Sequence, residues 1–299
     1  MANTRDIVKR RKSVRNTKKI TRTMELISTA KFKQASDRIK AAAPYADHLA
    51  RVVGNLASSL GEEAGSHPLL RRPEKVEKVA VLVLAANRGL CGGYNVNLIN
   101  AARSRVAELE AQGISVELHV VGKKAIQFFL FTEVPMANEY SNFEDRPAYE
   151  DVRPIAEGFM RRFSDGELDR VEVVYTRFIS SGRQRLTTSQ LLPIEPPQED
   201  DSEESSNSGD HSHQYHYIYE PDARGLRDEL LPHVVKMSCF TFMLHAAASE
   251  QVARMVAMKN ATDAAEKMIK SLTQQYNRAR QTQITTEIAE IIGGVAALE

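Results

Sequence analysis

The chain has 299 residues, of which 42% are apolar and 26% are charged, and its formal net charge is +1. These values are those of an ordinary protein with one large or two average domains. The near-zero charge excludes a protein that binds polyanions with its whole surface. The two distant cysteines exclude a disulfide framework.

The N-terminal segment is predicted to form one long helix. No Gly or Pro occurs between Asn3 and Ala43, and residues 1–40 contain thirteen Lys or Arg. A narrow apolar stripe on such a charged helix indicates a coiled coil. We expect Pro44 to bend the helix, which then resumes up to a connection at 61–73. The predicted seam consists of Ile7, Val14, Ile20, Met24, Ile27, Ala35 and Ile39.

The middle of the chain alternates between strand and helix patterns. The apolar run 79–85 is typical of a strand that is buried on both faces. A helix is predicted at 96–112, a strand at 115–121, and helices at 123–131 and 154–163. Strands at 170–179, 185–192 and 215–219 complete the pattern, which predicts a mostly parallel, Rossmann-like sheet. The acidic segment 196–213 is interpreted as a flexible, solvated loop.

The C-terminal segment is predicted to be a second long helix, because no Gly or Pro occurs between His233 and Ile292. Neither terminal seam can remain in water, so the two helices are expected to pair antiparallel. Since neither predicted seam is a strict heptad, we expect an irregular, gently twisted pair. The predicted fold class is therefore α/β, with a long antiparallel coiled coil. The expected domains are 1–60, 75–220 and 222–299. The predicted C-terminal seam consists of Ala248, Val252, Met255, Met258, Ala265, Met268, Ile269, Leu272, Tyr276, Ala279, Ile284, Ile288, Ile291 and Val295.

A glycine-rich motif, residues 87–93, follows the first buried strand. Such a turn can hold phosphate at a helix N-terminus, but it has neither GxGxxG nor P-loop spacing. A tight structural turn is the alternative that we favour. Cys91 could act as a nucleophile, but the sequence places no general base near it. The trio of His211, His213 and His216 lacks thiol ligands and lies in the acidic segment, which favours incidental metal binding over a zinc site. We therefore expect no metal, no cofactor and no catalytic residue.

The basic N-terminal helix has two open interpretations. It could bind nucleic acid, because thirteen cations lie within forty residues. However, its charges surround the helix, and no aromatic residue precedes Phe32 for base stacking. Contact with an acidic protein surface explains it equally well. A coiled-coil adaptor for nucleic acid and a nucleotide-dependent enzyme thus remain as rival functions.

Three blocks of the chain together resemble the γ subunit of F-type ATP synthases. Residues 20–31 (ITRTMELISTAK) are similar to that family's ITKAMEMVAAAK, and residues 87–98 (NRGLCGGYNVNL) to its DRGLCGGLNxNL. The third block runs from ASEQVARMVAMKNATD at 248–263 through YNRARQ at 276–281 to ITTEIAEIIGG at 284–294. Shorter matches are QLLP at 190–193 and YIYEP at 217–221, so the resemblance covers the whole chain.

The chain departs from that family pattern at a few positions. Asn87 stands where the family has Asp, and Thr23 where it has Ala. The plant plastid form carries an inserted cysteine pair for thiol regulation, which Cys91 and Cys239 do not match. The resemblance therefore implies no redox switch of that kind.

The resemblance implies that the terminal helices form a central shaft inside a hexamer of α and β subunits. The α/β domain would be a foot that meets the ε subunit and the c-ring, with one copy of this chain per complex and no nucleic acid. Proton flow would turn the ring and the shaft, which couples to ATP synthesis or hydrolysis at sites on the partners. The expected location is peripheral, on the cytoplasmic side of the plasma (inner) membrane.

The resemblance also implies which residues touch the partners. The tip of the C-terminal helix would turn in an apolar sleeve formed by the hexamer. The residues implied as β-subunit contacts are Lys18, Lys19, Arg22, Met24, Arg280, Gln281, Thr285 and Glu287, and those of the apolar tip are Ile291, Ile292, Val295 and Leu298.

Overall fold

The computed structural model describes residues 4–60, 67–143, 146–194 and 222–296. Its helices are α1 (Thr4–Leu60), α2 (Tyr94–Ala111), α3 (Lys123–Phe131), α4 (Tyr149–Ser164) and α5 (Ala223–Ala296), with a 3-10 helix at Pro68–Leu70. Its strands are β1 (Lys78–Leu84), β2 (Ser115–Val121), β3 (Asn138–Tyr140), β4 (Arg170–Ser180) and β5 (Arg183–Leu192).

The chain divides into two compact units. The helical unit consists of Met1–Ala30, Leu90–Gly92 and Val252–Glu299. The α/β unit consists of Lys31–Gly89 and Gly93–Gln251. Both long helices contribute to both units, because α1 and α5 are continuous through residues 30 and 252.

The α/β unit contains one five-stranded sheet with the order β3-β2-β1-β4-β5. The pairs β1–β2, β1–β4 and β2–β3 are parallel, and β4–β5 is antiparallel. Helices connect the parallel strands, as the alternating sequence pattern predicts. The mostly parallel, Rossmann-like sheet is therefore confirmed.

Both faces of the sheet are covered, which explains why β1 is apolar at almost every position. Ala80, Leu82 and Leu84 belong to a core cluster that also contains residues of α4 and α5. The intervening Val79 and Val81 are fully buried as well, and α2 packs on β1, β2 and β4. The α5 residues in the core cluster are Leu231, Val235, Cys239, Met243 and Ala246.

A buried ion pair attaches α2 to the sheet. The Arg105 guanidinium donates two hydrogen bonds to the Glu172 carboxylate, from Nε at 2.7 Å and from Nη2 at 2.8 Å. Burial opposes the ionised form of Glu172, but the hydrogen bonds from Arg105 and Arg170 outweigh it and hold the carboxyl pKa below its usual value. Two parallel N–H···O bonds fix geometry as well as charge.

Several sequence predictions need correction. The 3-10 helix and β3 were not predicted, since three-residue elements leave no periodic pattern. The helix at 154–163 begins earlier, at Tyr149. The helix α1 continues through Pro44 without interruption, so the resumption of the helix after Pro44 is confirmed. The acidic segment 196–213 and the strand predicted at 215–219 lie outside the described residues.

Candidate functional site

The N-terminal part of α1 packs antiparallel on the C-terminal part of α5. Four contacts between the helices show this, because the residue number on α5 falls from 283 to 262 as the residue number on α1 rises from 4 to 21. The Thr4 hydroxyl lies 3.4 Å from Gln283 Oε1, and the Arg11 guanidinium lies 5.1 Å from the centre of the Tyr276 ring. The other two contacts are Lys18 Nζ to Glu266 Oε2 at 3.0 Å and Thr262 Oγ1 to Thr21 Oγ1 at 2.8 Å. The predicted antiparallel pair is therefore confirmed.

The seam of this pair follows a seven-residue repeat, contrary to our expectation of an irregular one. On α1 the least exposed residues of the helical unit include Ile7, Val14, Thr21 and Ser28. On α5 the least exposed residues form two series, each with a spacing of seven. One series is 258, 265, 272 and 279, and the other is 262, 269 and 276. Repeats of seven keep one stripe of a helix facing its partner.

The seam predicted from apolar residues alone was wrong at six positions of the helical unit. Three of them, Ile284, Ile288 and Ile291, are exposed beyond the described part of α1. The other three lie where the two helices pair. Ile20 is 61% exposed, Ile27 is 49% exposed and Met268 is 45% exposed. Thr21 and Thr262 are buried in their place. Sequence reasoning missed these two threonines because it searched for apolar residues. The signal that identifies Thr21 is its spacing of seven and fourteen residues from Val14 and Ile7.

The predicted basic contact residues on α1 differ in their availability. Lys18 is engaged with Glu266 inside the helix pair, and its hydrogen bond holds the pKa of the Glu266 carboxyl below its usual value. Arg22 is exposed but binds Glu25 on its own helix at 2.7 Å. Lys19 is exposed, whereas Met24 is half-buried beside the seam. The predicted group is therefore brought together on one stretch of helix, with Lys19 and Arg22 facing outward.

The predicted contact residues on α5 all lie on exposed helix. Arg280, Gln281, Thr285 and Glu287 are exposed. The Glu287 carboxylate accepts a hydrogen bond from Gln283 at 2.9 Å, and the Thr285 hydroxyl donates to the Gln281 carbonyl at 2.9 Å. These contacts stay within α5 and leave the outer ends of the side chains accessible to a partner.

The end of α5 extends beyond the described part of its partner helix. The described part of α1 begins at Thr4, opposite Gln283, so α5 from 284 to 294 is exposed at every residue. Ile284, Ile288, Ile291 and Ile292 recur at helical spacing, and the last two are 67% and 63% exposed. An apolar stripe on an unpaired helix normally meets a partner. The side chain of Val295 and the whole of Leu298, also predicted for this tip, lie outside the described residues.

The glycine-rich motif forms a tight turn with two left-handed residues, Leu90 at φ 64° and Gly92 at φ 58°. Cys91 between them is buried. A Cβ placed on Gly92 would lie 3.8 Å from the Cβ of Ala257 on α5. Residues 90–92 thus belong to the helical unit, whereas the domain bounds expected from the sequence place the whole motif in the α/β domain.

In the α/β unit, Tyr94 lies at the end of β1, beside the crevice where a Rossmann-like sheet can hold a nucleotide. Ligands of such sheets bind beyond the carboxyl ends of the strands, where the strand order reverses, which here is between β1 and β4. Beyond β1, the Tyr94 hydroxyl donates to the carbonyl oxygens of Leu84, at 3.4 Å, and Ala246, at 3.2 Å. A cavity beside Tyr94, lined by Leu84 at the end of β1 and Val121 at the end of β2, is about 40 Å³. Small-molecule sites are typically about 300–1,000 Å³, so a nucleotide does not fit this cavity.

Two further features concern other classes of site. Among the described residues, no group of three or more His, Cys, Asp or Glu is arranged to hold a metal ion. In the same part of the chain, one helix, α5, is long and apolar enough to cross a membrane, with a mean hydropathy of 1.2 over 18 residues. Core helices pass the same test, and α5 contributes to the core of the α/β unit.

Comparisons with known proteins agree over the whole chain. The family model described as ATP synthase matches residues 3–298. The ATP synthase gamma chain of Leptospira biflexa is 45% identical over 298 residues, and that of Rhodopirellula baltica is 46% identical over 299 residues. In both comparisons the alignment covers 100% of each chain.

Two solved structures have the same fold. A chain of the Euglena gracilis mitochondrial ATP synthase (OSCP/F1/c-ring, rotational state 3) matches with a TM-score of 0.63 and 17% identity, covering 99% of this chain and 94% of that one. A chain of the Tetrahymena thermophila mitochondrial ATP synthase central stalk/c-ring matches with a TM-score of 0.58 and 18% identity, covering 81% of this chain and 99% of that one. The full-length family match and the identities above 40% lead to one conclusion: this chain belongs to the ATP synthase gamma-chain family.

Proposed function

We propose that this chain is the central-stalk subunit of an F-type ATP synthase and works as a rotating shaft. The observation that carries the proposal is the antiparallel pair of α1 and α5, beyond which the single end of α5 extends with an exposed apolar stripe. The shaft would turn inside a hexamer of α and β subunits and transmit the rotation of the membrane c-ring. Proton flow would thereby be coupled to ATP synthesis or hydrolysis.

The physical basis of this coupling is the asymmetry of the shaft. A single rod cannot present the same surface to three equivalent β subunits, so each of them meets a different face. A ligand or partner shifts a conformational equilibrium only by its difference in affinity between the states. The faces of this helix pair do differ, since Lys19 and Arg22 are exposed on α1 and Arg280 and Glu287 on α5.

The proposed contacts with β subunits form two groups. The first lies on α1 opposite an acidic segment of β, and within it Lys19 and Arg22 are the cations that face outward. The second lies on α5 against a β-subunit loop, and the end of α5 would turn in an apolar sleeve. The proposed residues are Lys18, Lys19, Arg22 and Met24 on α1, Arg280, Gln281, Thr285 and Glu287 on α5, and Ile291, Ile292, Val295 and Leu298 at the tip.

We also propose that this chain carries no catalytic site of its own. The cavity beside Tyr94 supports this, because its volume of about 40 Å³ is too small for a nucleotide. The α/β unit would instead be the foot that meets the ε subunit and the c-ring, in a single copy per complex. The relatives named above are bacterial, which supports a peripheral location at the cytoplasmic side of the plasma membrane.

Reconstitution with purified α and β subunits tests the proposal. We expect ATP hydrolysis to rise when the full-length chain is added and assembles with them. Replacing Lys19→Glu should lower that activity several-fold, because it reverses a charge that faces the acidic segment. Lys124→Glu is the matched control, since Lys124 is an exposed lysine of the α/β unit. The shaft proposal would be abandoned if the wild-type chain neither assembled with the subunits nor changed their activity.

A further inference from the structure

The stretch 20–28 of α1 faces its partner with its less apolar side. Thr21 is 8% exposed and Ser28 is 2% exposed, whereas their neighbours Ile20 and Ile27 are 61% and 49% exposed. Leu26 is exposed as well. Burial of an isoleucine side chain normally stabilises a structure, so this orientation opposes the hydrophobic effect.

The alternative orientation differs by a small rotation. Successive residues of an α-helix are about 100° apart around its axis. Turning this stretch of α1 by about that angle would bury Ile20 and Ile27 and expose Thr21 and Ser28. Over residues 20–28 hydrophobic burial favours the rotated setting, whereas burial of Ile7 and Val14 in the same seam favours the observed one. Polar contacts within this stretch therefore add to the preference for the observed setting.

Those contacts are polar and depend on the rotational setting. The Thr262 hydroxyl lies 2.8 Å from Thr21 Oγ1 across the pair and 2.8 Å from the Met258 carbonyl oxygen of its own helix, so it shares its proton between them, and both threonines are buried. The Thr21 hydroxyl donates in turn to the Lys18 carbonyl oxygen at 3.1 Å, so its own proton is also paired. One turn away, Lys18 binds Glu266 across the pair at 3.0 Å. A rotated α1 would break the contact between the two hydroxyls, although Thr262 would keep the Met258 carbonyl of its own helix, and it would separate Lys18 from Glu266.

We propose that Thr21 and Thr262 are positioning residues that set the rotation of α1 about its own axis. Polar contacts inside an apolar seam are known to select one arrangement of a coiled coil over its competitors, at a cost in stability. Here the selected arrangement keeps Ile20 and Ile27 on the outer surface, beside Lys19. The hydroxyl pair therefore decides which side chains the shaft presents, and only this last step rests on the function proposed above.

Single cysteines report the rotation directly. The full-length chain would carry Ile27→Cys or Ser28→Cys, and maleimide modification of each position would be followed by mass spectrometry, which separates it from the buried Cys91 and Cys239. With Thr262 intact, we expect residue 27 to react much faster than residue 28. Thr262→Ala should lower the ratio of the two rates about fivefold, which corresponds to the loss of one typical hydrogen bond.

Two further variants isolate the hydroxyl. Thr262→Ser keeps the hydroxyl in a side chain close in size to Ala, so the ratio should stay near the wild-type value. Thr282→Ala is the matched control, because the Thr282 hydroxyl binds only the Arg278 carbonyl of its own helix, at 3.1 Å. A ratio unchanged by Thr262→Ala, or lowered equally by Thr262→Ser, would overturn the inference. Thermal melting of each variant separates a rotation from loss of folding.

Activity with α and β subunits tests the link to the shaft. We expect Thr262→Ala to stimulate ATP hydrolysis less than the wild-type chain does, and Thr262→Ser to match the wild type. If Thr262→Ala lowers the ratio of the two cysteine reaction rates but both variants stimulate ATP hydrolysis equally, the rotational setting of α1 has no role in the rotation of the shaft. If the wild-type chain itself fails to stimulate, the proposed function fails, and the cysteine result still decides the role of the two threonines in positioning α1.

Discussion

Gly122 between β2 and α3 offers the sharpest test of the α/β unit. Its φ of 100° lies in the left-handed region, and a Cβ at this position would overlap the Ala85 carbonyl oxygen and lie 2.6 Å from the Ala85 carbonyl carbon. Backbone hydrogen bonds hold the two segments together here, from Ala85 N–H to the Val121 carbonyl at 2.9 Å and from Lys124 N–H to the Ala86 carbonyl at 3.2 Å. The end of β1 therefore cannot move away without losing them.

The expected cost of Gly122→Ala has two parts. The positive φ costs an L-residue about 1–2 kcal/mol. Relieving the overlap requires the two backbones to separate, which weakens these two backbone hydrogen bonds at about 1 kcal/mol each. The variant should therefore lose about 3–4 kcal/mol of unfolding free energy, measured by urea denaturation followed by circular dichroism.

Two other glycines separate these contributions. Gly113 has a φ of 76°, and no atom lies within 4 Å of the place that an alanine methyl group would take, so Gly113→Ala should cost only about 1–2 kcal/mol. Gly158 lies inside α4 with open space around it, so Gly158→Ala should stabilise the protein by about 1 kcal/mol. If Gly122→Ala costs no more than Gly113→Ala, the inferred overlap with Ala85 is wrong.

Two more predictions concern the seam and the buried histidines. Leu272→Ala should destabilise the helix pair by about 2–5 kcal/mol, because Leu272 is 5% exposed, whereas Met268→Ala should change the unfolding free energy much less; equal losses would disprove the corrected seam. Burial lowers the pKa of His119 and of His245 to about 4, so the unfolded chain binds protons that the folded chain does not. The free energy of unfolding is therefore highest above pH 6.5. It should fall by about 2 kcal/mol per histidine between pH 6.5 and pH 5, measured by urea denaturation at each pH. His245→Asn should remove about half of that slope, and an unchanged slope would contradict the assignment.

Much of the α/β unit could be predicted from local sequence. The bounds of β2 and α3 agree with the predicted ranges 115–121 and 123–131. The reason is that a strand covered on both faces needs a continuous apolar run and that Gly113 and Gly122 end the neighbouring elements. The three-residue β3 was missed, because its pairing with β2, and not its own composition, makes it a strand.

The helix pair shows where local patterns stop being sufficient. That two long helices exist and run antiparallel follows from the absence of Gly and Pro and from apolar stripes that need cover. Which stripe is covered does not follow, since α1 offers two adjacent stripes and the more apolar one, with Ile20 and Ile27, remains outside. The choice depends on the partner surface, where Thr262 supplies a hydrogen-bond donor to Thr21.

For the candidate site, too, the sequence predicts some features and the folded structure decides others. The sequence by itself determined the family and the two terminal helices, because each depends on motifs or on periodicity within one segment. Only the tertiary structure decided that Lys18 is held by Glu266 while Lys19 faces outward, that the end of α5 is exposed, and that Tyr94 bonds to the end of β1. These outcomes depend on how parts of the chain that are distant in sequence meet when the chain is folded.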